Sequence, residues 1–162
     1  MAKKKIVTNA MRILNAAKIK YETVEYEAET VGDHFGEEIA ALTGIPPEKS
    51  FKTLVVRGDK TGIMVTCIPV SDELDLKLLA KVSGNKSAEM THVKELLQLT
   101  GYIRGGVSPI GMKKKYPTYV NSSALNFETI AVSGGVCGCT LILKPEDLQK
   151  ATGCVFEEIV RK

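Results

Sequence analysis

The sequence predicts a single α+β domain, or an irregular α/β arrangement, in which short helices surround a mixed β-sheet. Short strand-like and helix-like segments are interleaved along the 162 residues, without the regular alternation of a doubly wound fold. Residues 51–69 carry a clear β-hairpin pattern. With 44% hydrophobic residues the chain can bury a core, and its length fits one domain spanning residues 1–162.

The N-terminal part reads as a helix, a strand and a second helix. Thr8 is a suitable N-cap for a helix that runs to about Ala17, with Met11, Leu14 and Ala17 on one apolar face. The segment Tyr21–Tyr26 alternates apolar and acidic residues, which indicates a half-buried strand. Asp33 is then expected to cap a short helix that stops at Gly44.

The hairpin consists of the strands Phe51–Arg57 and Ile63–Pro69, joined by Gly58–Gly62. Lys52 is unusual because it opens an otherwise apolar strand. One interpretation is an edge-strand lysine that points to solvent and discourages aggregation. The other is a lysine at the mouth of a pocket, where a cation can orient a carbonyl or a phosphate.

Two further helices follow the hairpin, at residues 75–82 and 91–99, each stopped by a glycine. The second is expected to be capped by Thr91 and to bury an apolar face that includes Val93 and Leu97. The remaining predicted elements are strands at 117–121, 127–132 and 140–143 and a helix that begins at Pro145 and ends at Gly153.

The segment Gly101–Gly111 contains four glycines and is followed directly by Lys113–Lys115. Glycines this dense permit positive φ angles and close approach to main-chain N–H groups. Tyr102, Arg104 and Ser108 add polar side chains. The segment is either a tight structural loop with a solvated basic tail or one wall of a pocket for an anionic ligand, such as an RNA terminus.

Charge is distributed in blocks, although the net charge is only +3. Residues 1–20, including Lys3–Lys5, and residues 101–120 are basic without any acid, whereas residues 21–50 hold eight acidic residues and one lysine. Such blocks are either solvated faces or surfaces that contact phosphates. No apolar run reaches the roughly 18 residues that a membrane helix needs, and no signal peptide is recognisable, so we expect a cytoplasmic protein.

The familiar catalytic and metal-binding motifs are missing. There is no P-loop, no G-x-S-x-G, no HExxH and no C-x-x-C pair. The four cysteines lack zinc-site spacing, and we expect reduced thiols, no metal and no cofactor. An enzyme with this sequence would therefore depend on substrate positioning and main-chain electrostatics.

Several segments together resemble the YbaK/EbsC family of Cys-tRNA(Pro) deacylases and prolyl-tRNA synthetase-associated editing domains. The resemblance follows their order and spacing over nearly the whole chain. The segments are Phe51-Lys-Thr-Leu-Val, Pro69-Val, Leu74-Asp-Leu-Lys77, Gly101–Gly111 with the lysines after it, and Ser133-Gly-Gly135. The resemblance implies a partly barrel-like mixed sheet and clearance of wrong amino acids from tRNA(Pro). Such editing is needed because one methylene provides only about 1–3 kcal/mol of discrimination.

The resemblance also implies roles for individual residues. The catalytic group would be Lys52, Gly105, Gly106 and Ser108, with the glycine-loop N–H groups stabilising an oxyanion. The substrate would contact Tyr26, Phe35, Thr53, Tyr102, Pro109, Gly111, Ser133 and Gly134. Lys113, Lys114 and Lys115 would bind tRNA phosphates. The implied partner is the acceptor end of tRNA(Pro), and a complex with prolyl-tRNA synthetase is an open possibility.

In the cysteine-specific branch of the family the substrate thiol attacks its own ester and releases a thiolactone, whereas in the alanine-specific branch water attacks. This sequence departs from the family after Ser133-Gly-Gly135, where a basic pair and an acid are replaced within Val136–Thr140. Met112 also stands where a polar residue is frequent. The alternatives are therefore an alanine-type deacylase, an editing enzyme for another small amino acid, or a non-catalytic module that binds the acceptor end or a synthetase.

Overall fold

The computed structural model describes residues 7–26 and 41–161. Short helices and strands alternate along these ranges, as the sequence predicts. In chain order the elements are α1 (Asn9–Ala16), β1 (Glu22–Glu25), β2 (Phe51–Gly58), β3 (Gly62–Pro69), α2 (Leu76–Ser83), β4 (Ala88–Met90), α3 (Leu96–Thr100), β5 (Thr118–Asn121), β6 (Ile130–Ser133), β7 (Cys139–Leu143), α4 (Pro145–Thr152) and β8 (Val155–Glu157), with 3-10 turns at Val93–Glu95 and Ser122–Asn126.

The described strands form two sheets. A five-stranded sheet has the order β4-β2-β3-β5-β8, and a three-stranded antiparallel sheet has the order β1-β7-β6. The larger sheet is mixed, because β2 pairs antiparallel with β3 and β4 whereas β5 pairs parallel with β3 and β8. A single parallel bridge, Ser50 to Ala131, links the two sheets. The α+β prediction is confirmed, and across the described ranges the strands close no barrel.

The predicted hairpin is confirmed residue by residue. Its ladder runs from Phe51 opposite Pro69 to Gly58 opposite Gly62. The side-chain oxygen of Asn85 accepts hydrogen bonds from the N–H groups of Lys60 and Thr61 in the connecting loop, at 2.8 and 2.9 Å. The hairpin is therefore held at its tip by a residue that follows helix α2.

Helix α1 begins where the sequence predicts, because the Thr8 hydroxyl accepts a hydrogen bond from the N–H of Met11 at 3.2 Å. Its buried residues are Ala10, Met11 and Leu14. Ala17, expected on the same face, is exposed, because the helix ends at Ala16 and Ala17 follows it as the C-cap. The predicted face is therefore confirmed at Met11 and Leu14, and the prediction is wrong only for Ala17.

The segment predicted as one helix over 91–99 is divided into a 3-10 turn and α3. Thr91 is not its cap: the Thr91 hydroxyl donates to the Val55 carbonyl oxygen at 3.0 Å, so it is bound to strand β2 instead. Val93 and Leu97 are each 55% exposed, contrary to the predicted apolar face. Tertiary pairing with β2 overrides the local helix signal here.

Other boundaries differ more modestly. The strand predicted from Phe127 begins only at Ile130, because the chain bends at residues 127–128 after the 3-10 turn Ser122–Asn126. The helix predicted from Asp33 lies mostly outside the described residues; residues 41–43 are helical and Gly44 follows with φ of 74°. Strands β4 and β8 were not predicted.

No helix in the described ranges has the length and apolar character needed to cross a membrane.

Candidate active site

A cavity of about 280 Å³ lies beside the bridge that joins the two sheets. Strand β2 forms one side, β6 and β7 form another, and the segments 90–96 and 104–107 complete the wall. The lining residues are Tyr26, Ser50, Phe51, Lys52, Thr53, Leu54, Val55, Val70, Met90, Thr91, Val93, Leu96, Arg104, Gly105, Val107, Ala131, Val132, Ser133 and Thr140.

Lys52 lines this cavity and is half-buried. Its Nζ donates to the carbonyl oxygen of Val70 at 3.5 Å, the upper limit of a hydrogen bond. Strand β2 is paired with β3 at this point, opposite Ile68. Because Lys52 is half-buried and lines the cavity, it is not a fully solvated lysine, and its remaining N–H donors are available to a ligand.

The lining residues in the described part of the chain give the cavity a positive character. Lys52 and Arg104 are its charged side chains, and none of the lining residues is Asp, Glu or His. The rest of the lining is apolar or carries hydroxyl groups. This combination suits a ligand with an electron-rich or anionic end and a small neutral end.

Three more predicted substrate contacts lie on the cavity. Burial raises the pKa of Tyr26, so its phenol is protonated at neutral pH. The Thr53 hydroxyl lies 3.7 Å from the sulfur of Cys67, and burial raises the pKa of Cys67 to about 12. The Ser133 hydroxyl accepts from the N–H of Gly135 at 3.3 Å, which orders the turn after β6.

Most of the glycine loop packs against the outer side of the cavity wall and does not line the cavity. Gly105 lines the cavity, but Gly106, Ser108 and Pro109 are buried and are not part of its lining. The Ser108 hydroxyl accepts from the N–H of Ile110 at 3.3 Å, a local turn contact. A Cβ atom on Gly106 would lie 2.9 Å from the main-chain nitrogen of Cys137, so glycine is required there for close packing.

Tyr102, Gly111 and Gly134 also support the wall without lining the cavity. The Tyr102 hydroxyl donates to the carbonyl oxygen of Ile110 at 2.6 Å, and burial raises the pKa of Tyr102. Gly111 accepts from the side chain of Asn9 at 2.6 Å, which ties the loop to helix α1. The structure therefore places these residues in a supporting layer behind the predicted substrate site.

The three lysines after the loop are exposed and lie outside the cavity lining. The ideal Cβ position of Gly101 is 3.2 Å from the Cγ of Lys113, so the stem of that lysine covers the end of helix α3. Phe35 and Lys3–Lys5 lie outside the described residues.

The departing segment Val136–Thr140 touches the site directly. Its first residues pack against Gly106, Gly138 accepts from the N–H of Tyr26 at 2.9 Å, and Thr140 lines the cavity. Met112 packs against the cluster that contains Tyr102 and Val107. The segment in which we expect this sequence to depart from the family therefore forms part of the cavity wall and its support.

Sequence reasoning missed the wall formed by Met90, Thr91, Val93 and Leu96, and it missed Ser50. The wall resembled an ordinary amphipathic helix, and nothing in its sequence indicated that it bends across β2. Its exposed apolar side chains, Met90 and Val93, are visible only in the structure. Within residues 7–26 and 41–161, no three His, Cys, Asp or Glu side chains group closely enough to hold a metal ion.

The mixed two-sheet fold and a cation-bearing cavity at the sheet junction define a small α+β protein whose cavity suits a polar, partly anionic ligand. The family model for the aminoacyl-tRNA editing domain matches residues 33–151. The chain therefore belongs to the aminoacyl-tRNA editing domain family, as the sequence motifs indicate.

Two curated relatives and one solved structure are informative. EbsC of Enterococcus faecalis, provisionally named a Cys-tRNA(Pro)/Cys-tRNA(Cys) deacylase, is 49% identical over 100% of this chain and 99% of its own. A proline–tRNA ligase of Thermosipho africanus is 30% identical over 48% of this chain and 14% of its own. A crystal structure provisionally described as a trans-editing enzyme for prolyl-tRNA synthetase superposes with a TM-score of 0.81, at 24% identity, covering 98% of this chain and 100% of the other.

Proposed function

We propose that this protein is a free-standing aminoacyl-tRNA deacylase that removes cysteine from mischarged tRNA(Pro). The observation that carries the proposal is the half-buried ammonium group of Lys52 inside a 280 Å³ cavity at the junction of the sheets. Membership in the editing family supplies the reaction class. The name of the Enterococcus faecalis relative supports cysteine as the amino acid.

The lining chemistry fits a reaction in which the substrate supplies its own nucleophile. The cysteine sulfur attacks its ester carbonyl, the bond from that carbon to the ribose oxygen breaks, and the thiol proton ends on the ribose oxygen. The products are a cyclic thioester, the thiolactone, and tRNA with a free terminal hydroxyl. Such a reaction needs positioning and charge stabilisation more than a strong enzyme base, and the described lining offers cations and hydroxyls.

Lys52 would donate to the terminal ribose or the ester oxygens, and the main-chain N–H of Gly105 would face the developing oxyanion. Arg104, exposed at the cavity, would approach the terminal phosphate. Lys113–Lys115 would contact acceptor-stem phosphates. We further propose action in the cytoplasm together with prolyl-tRNA synthetase, since the cavity itself can read only the end of the tRNA.

The test compares deacylation of Cys-, Ala- and Ser-charged tRNA(Pro), and of Cys-tRNA(Cys), by the wild type and by Lys52→Ala. Fast loss of cysteine alone, abolished by the substitution, is the expected result. Preferential loss of alanine would assign the water-dependent reaction instead. If wild type binds the charged tRNAs but hydrolyses none, the protein is a binding module and the proposal is wrong.

Lys60→Ala is the matched control, because Lys60 is exposed in the hairpin loop far from the cavity lining. It removes the same charge and should leave deacylation unchanged. Equal losses in both lysine variants would mean that overall charge, and not the position of Lys52, governs activity. Detection of the thiolactone by mass spectrometry separates attack by the substrate thiol from attack by water.

A further inference from the structure

The hydroxyl groups that line the cavity differ in whether the protein already uses them. Thr91 donates to a main-chain carbonyl oxygen and Ser133 accepts from a main-chain N–H. Ser50 and Thr140 are only 4% and 5% exposed, yet neither hydroxyl makes a hydrogen bond within the described part of the chain. Their oxygens are not sealed from solvent, so both remain open to the cavity. A hydroxyl that no protein group uses and that is accessible from the cavity can donate to or accept from a ligand bound there.

Ser50 is held rigidly by its main chain. Its N–H donates to the carbonyl oxygen of Pro46 at 3.1 Å, and its own carbonyl oxygen accepts from the N–H of Val70 at 2.8 Å. It also forms the bridge to Ala131 that joins the two sheets. These contacts all involve the main chain, so they fix the backbone of Ser50 and leave its side-chain hydroxyl free for a ligand.

Ser50 directly precedes β2 and Lys52 is its second residue, and the bond from Val70 to Ser50 continues the pairing of β2 with β3. Residues two apart in extended chain project to the same side, and both residues line the cavity. Val70 contacts both residues, since its carbonyl oxygen accepts from Lys52 and its N–H donates to Ser50. The ammonium group can only donate hydrogen bonds, whereas a serine hydroxyl can also accept one. The pair therefore offers a donor and an acceptor side by side.

We infer that Ser50 is a substrate-positioning residue whose hydroxyl accepts a hydrogen bond from the free ribose hydroxyl next to the aminoacyl ester. This inference rests on the proposed function for the identity of the substrate. The terminal ribose carries the aminoacyl ester on one hydroxyl and leaves the neighbouring hydroxyl free. The ester oxygens can accept a hydrogen bond from Lys52, and the free hydroxyl can donate one to Ser50. The α-ammonium group of the substrate is less suited than the ribose hydroxyl to bind at Ser50, because the positive charge of Lys52 would repel it.

The experiment uses two stable analogues in which an amide links cysteine to adenosine, one with the vicinal ribose hydroxyl and one without it. Calorimetry gives Kd for the wild type, Ser50→Ala and the space-filling variant Ser50→Cys. Removing the hydroxyl should weaken wild-type binding on the order of tenfold, the value of one hydrogen bond. Both Ser50 variants should bind the complete analogue more weakly by about the same factor and should no longer distinguish the two analogues.

Thr140→Val is the matched control, because it removes a second hydroxyl of the cavity lining that makes no hydrogen bond in the described part of the chain, on strand β7 and not beside Lys52 in sequence. It should retain the tenfold difference between the analogues. The inference is overturned if the Ser50 variants still distinguish the analogues, or if the wild type does not. A wild type that shows the expected binding pattern but leaves Cys-tRNA(Pro) intact would reject the proposed function and retain the role of Ser50. Failure of the wild type to bind either analogue would overturn the role of Ser50, and the deacylation of Cys-tRNA(Pro) would decide the proposed function separately.

Discussion

The guanidinium of Arg57 and the carboxylate of Glu95 form an ion pair, with Nη2 and Oε1 2.8 Å apart. The second carboxylate oxygen of Glu95 accepts from the N–H of His92 at 2.9 Å. The pair therefore connects β2 to the segment that contributes Met90, Thr91 and Val93 to the cavity wall. It acts together with the main-chain bond from Thr91 to β2 to hold this wall in place.

Glu95→Gln should loosen the wall without abolishing the reaction. We expect a rise in KM of roughly two- to fivefold with little change in kcat, in line with the modest strength of exposed ion pairs. Glu95→Asp keeps the charge but shortens the side chain, so its KM should lie between those of the wild type and Glu95→Gln. An unchanged KM in Glu95→Gln would show that the main-chain contacts of Thr91 suffice.

The same pair predicts a pH dependence of stability. The Arg57 guanidinium holds the pKa of Glu95 below its ordinary value of 4.5. A carboxylate whose pKa is lowered by folding stabilises the native state above its unfolded pKa and loses that effect as pH falls through the lowered value. The difference in Tm between wild type and Glu95→Gln should therefore be present at pH 7 and shrink below pH 4.5. A difference that is constant from pH 7 to pH 3 would contradict this origin.

Lys52→Ala should lower kcat/KM for Cys-tRNA(Pro) by roughly 100-fold or more, because it removes a preorganised cation at the reacting end of the substrate. Its Tm should stay close to that of the wild type, since Lys52 makes only one long hydrogen bond within the described structure. Lys52→Arg tests whether charge alone suffices. Full activity in the arginine variant would show that a positive charge at this position is enough and that the reaction does not require the compact ammonium group of lysine.

Gly106→Ala should reduce both stability and activity. The new Cβ would lie within 3.0 Å of main-chain atoms of Val136 and Cys137, and backbone cannot move aside cheaply. We expect a loss of about 1–3 kcal/mol in the free energy of unfolding and a displaced wall next to Gly105. Denaturant unfolding and steady-state kinetics measure the two effects.

Gly84→Ala is the control for Gly106→Ala. Gly84 ends helix α2 with φ of 81° and has open space around its Cβ position, so alanine there costs about 1–2 kcal/mol through conformation alone. It should lower stability and leave kcat/KM unchanged. Equal kinetic effects of the two variants would mean that general destabilisation accounts for the loss of activity.

The cysteines should react unequally with an alkylating agent. Burial raises the pKa values of Cys139 and Cys154 and raises that of Cys67 to about 12, so these thiols are both inaccessible and protonated. Cys137 is half-buried in the turn that precedes β7. Mass spectrometry at pH 8 should find label on Cys137 in the folded protein and on the other three only after unfolding. Early labelling of Cys67 would contradict the packing around Thr53.

The hairpin, the cap at Thr8, and the stops at Gly84 and Gly153 were predicted from the sequence. Each depends on contacts between residues a few positions apart, which side-chain type and spacing determine directly. The conflict at Thr91 is different in kind. Its hydroxyl has a capping role available locally and a bond to Val55 available in the folded protein, and only the tertiary structure decides between them.

The sequence by itself determined the fold class, the family and the presence of Lys52 at the start of a strand. It could not decide whether Lys52 faces solvent or a cavity, because that depends on where β6 and the segment 90–96 are placed around β2. It also left the glycine loop open between a structural and a ligand-binding role. The tertiary structure places Gly105 on the cavity and Gly106, Ser108 and Gly111 behind it, because those positions are packed against chain segments distant in sequence.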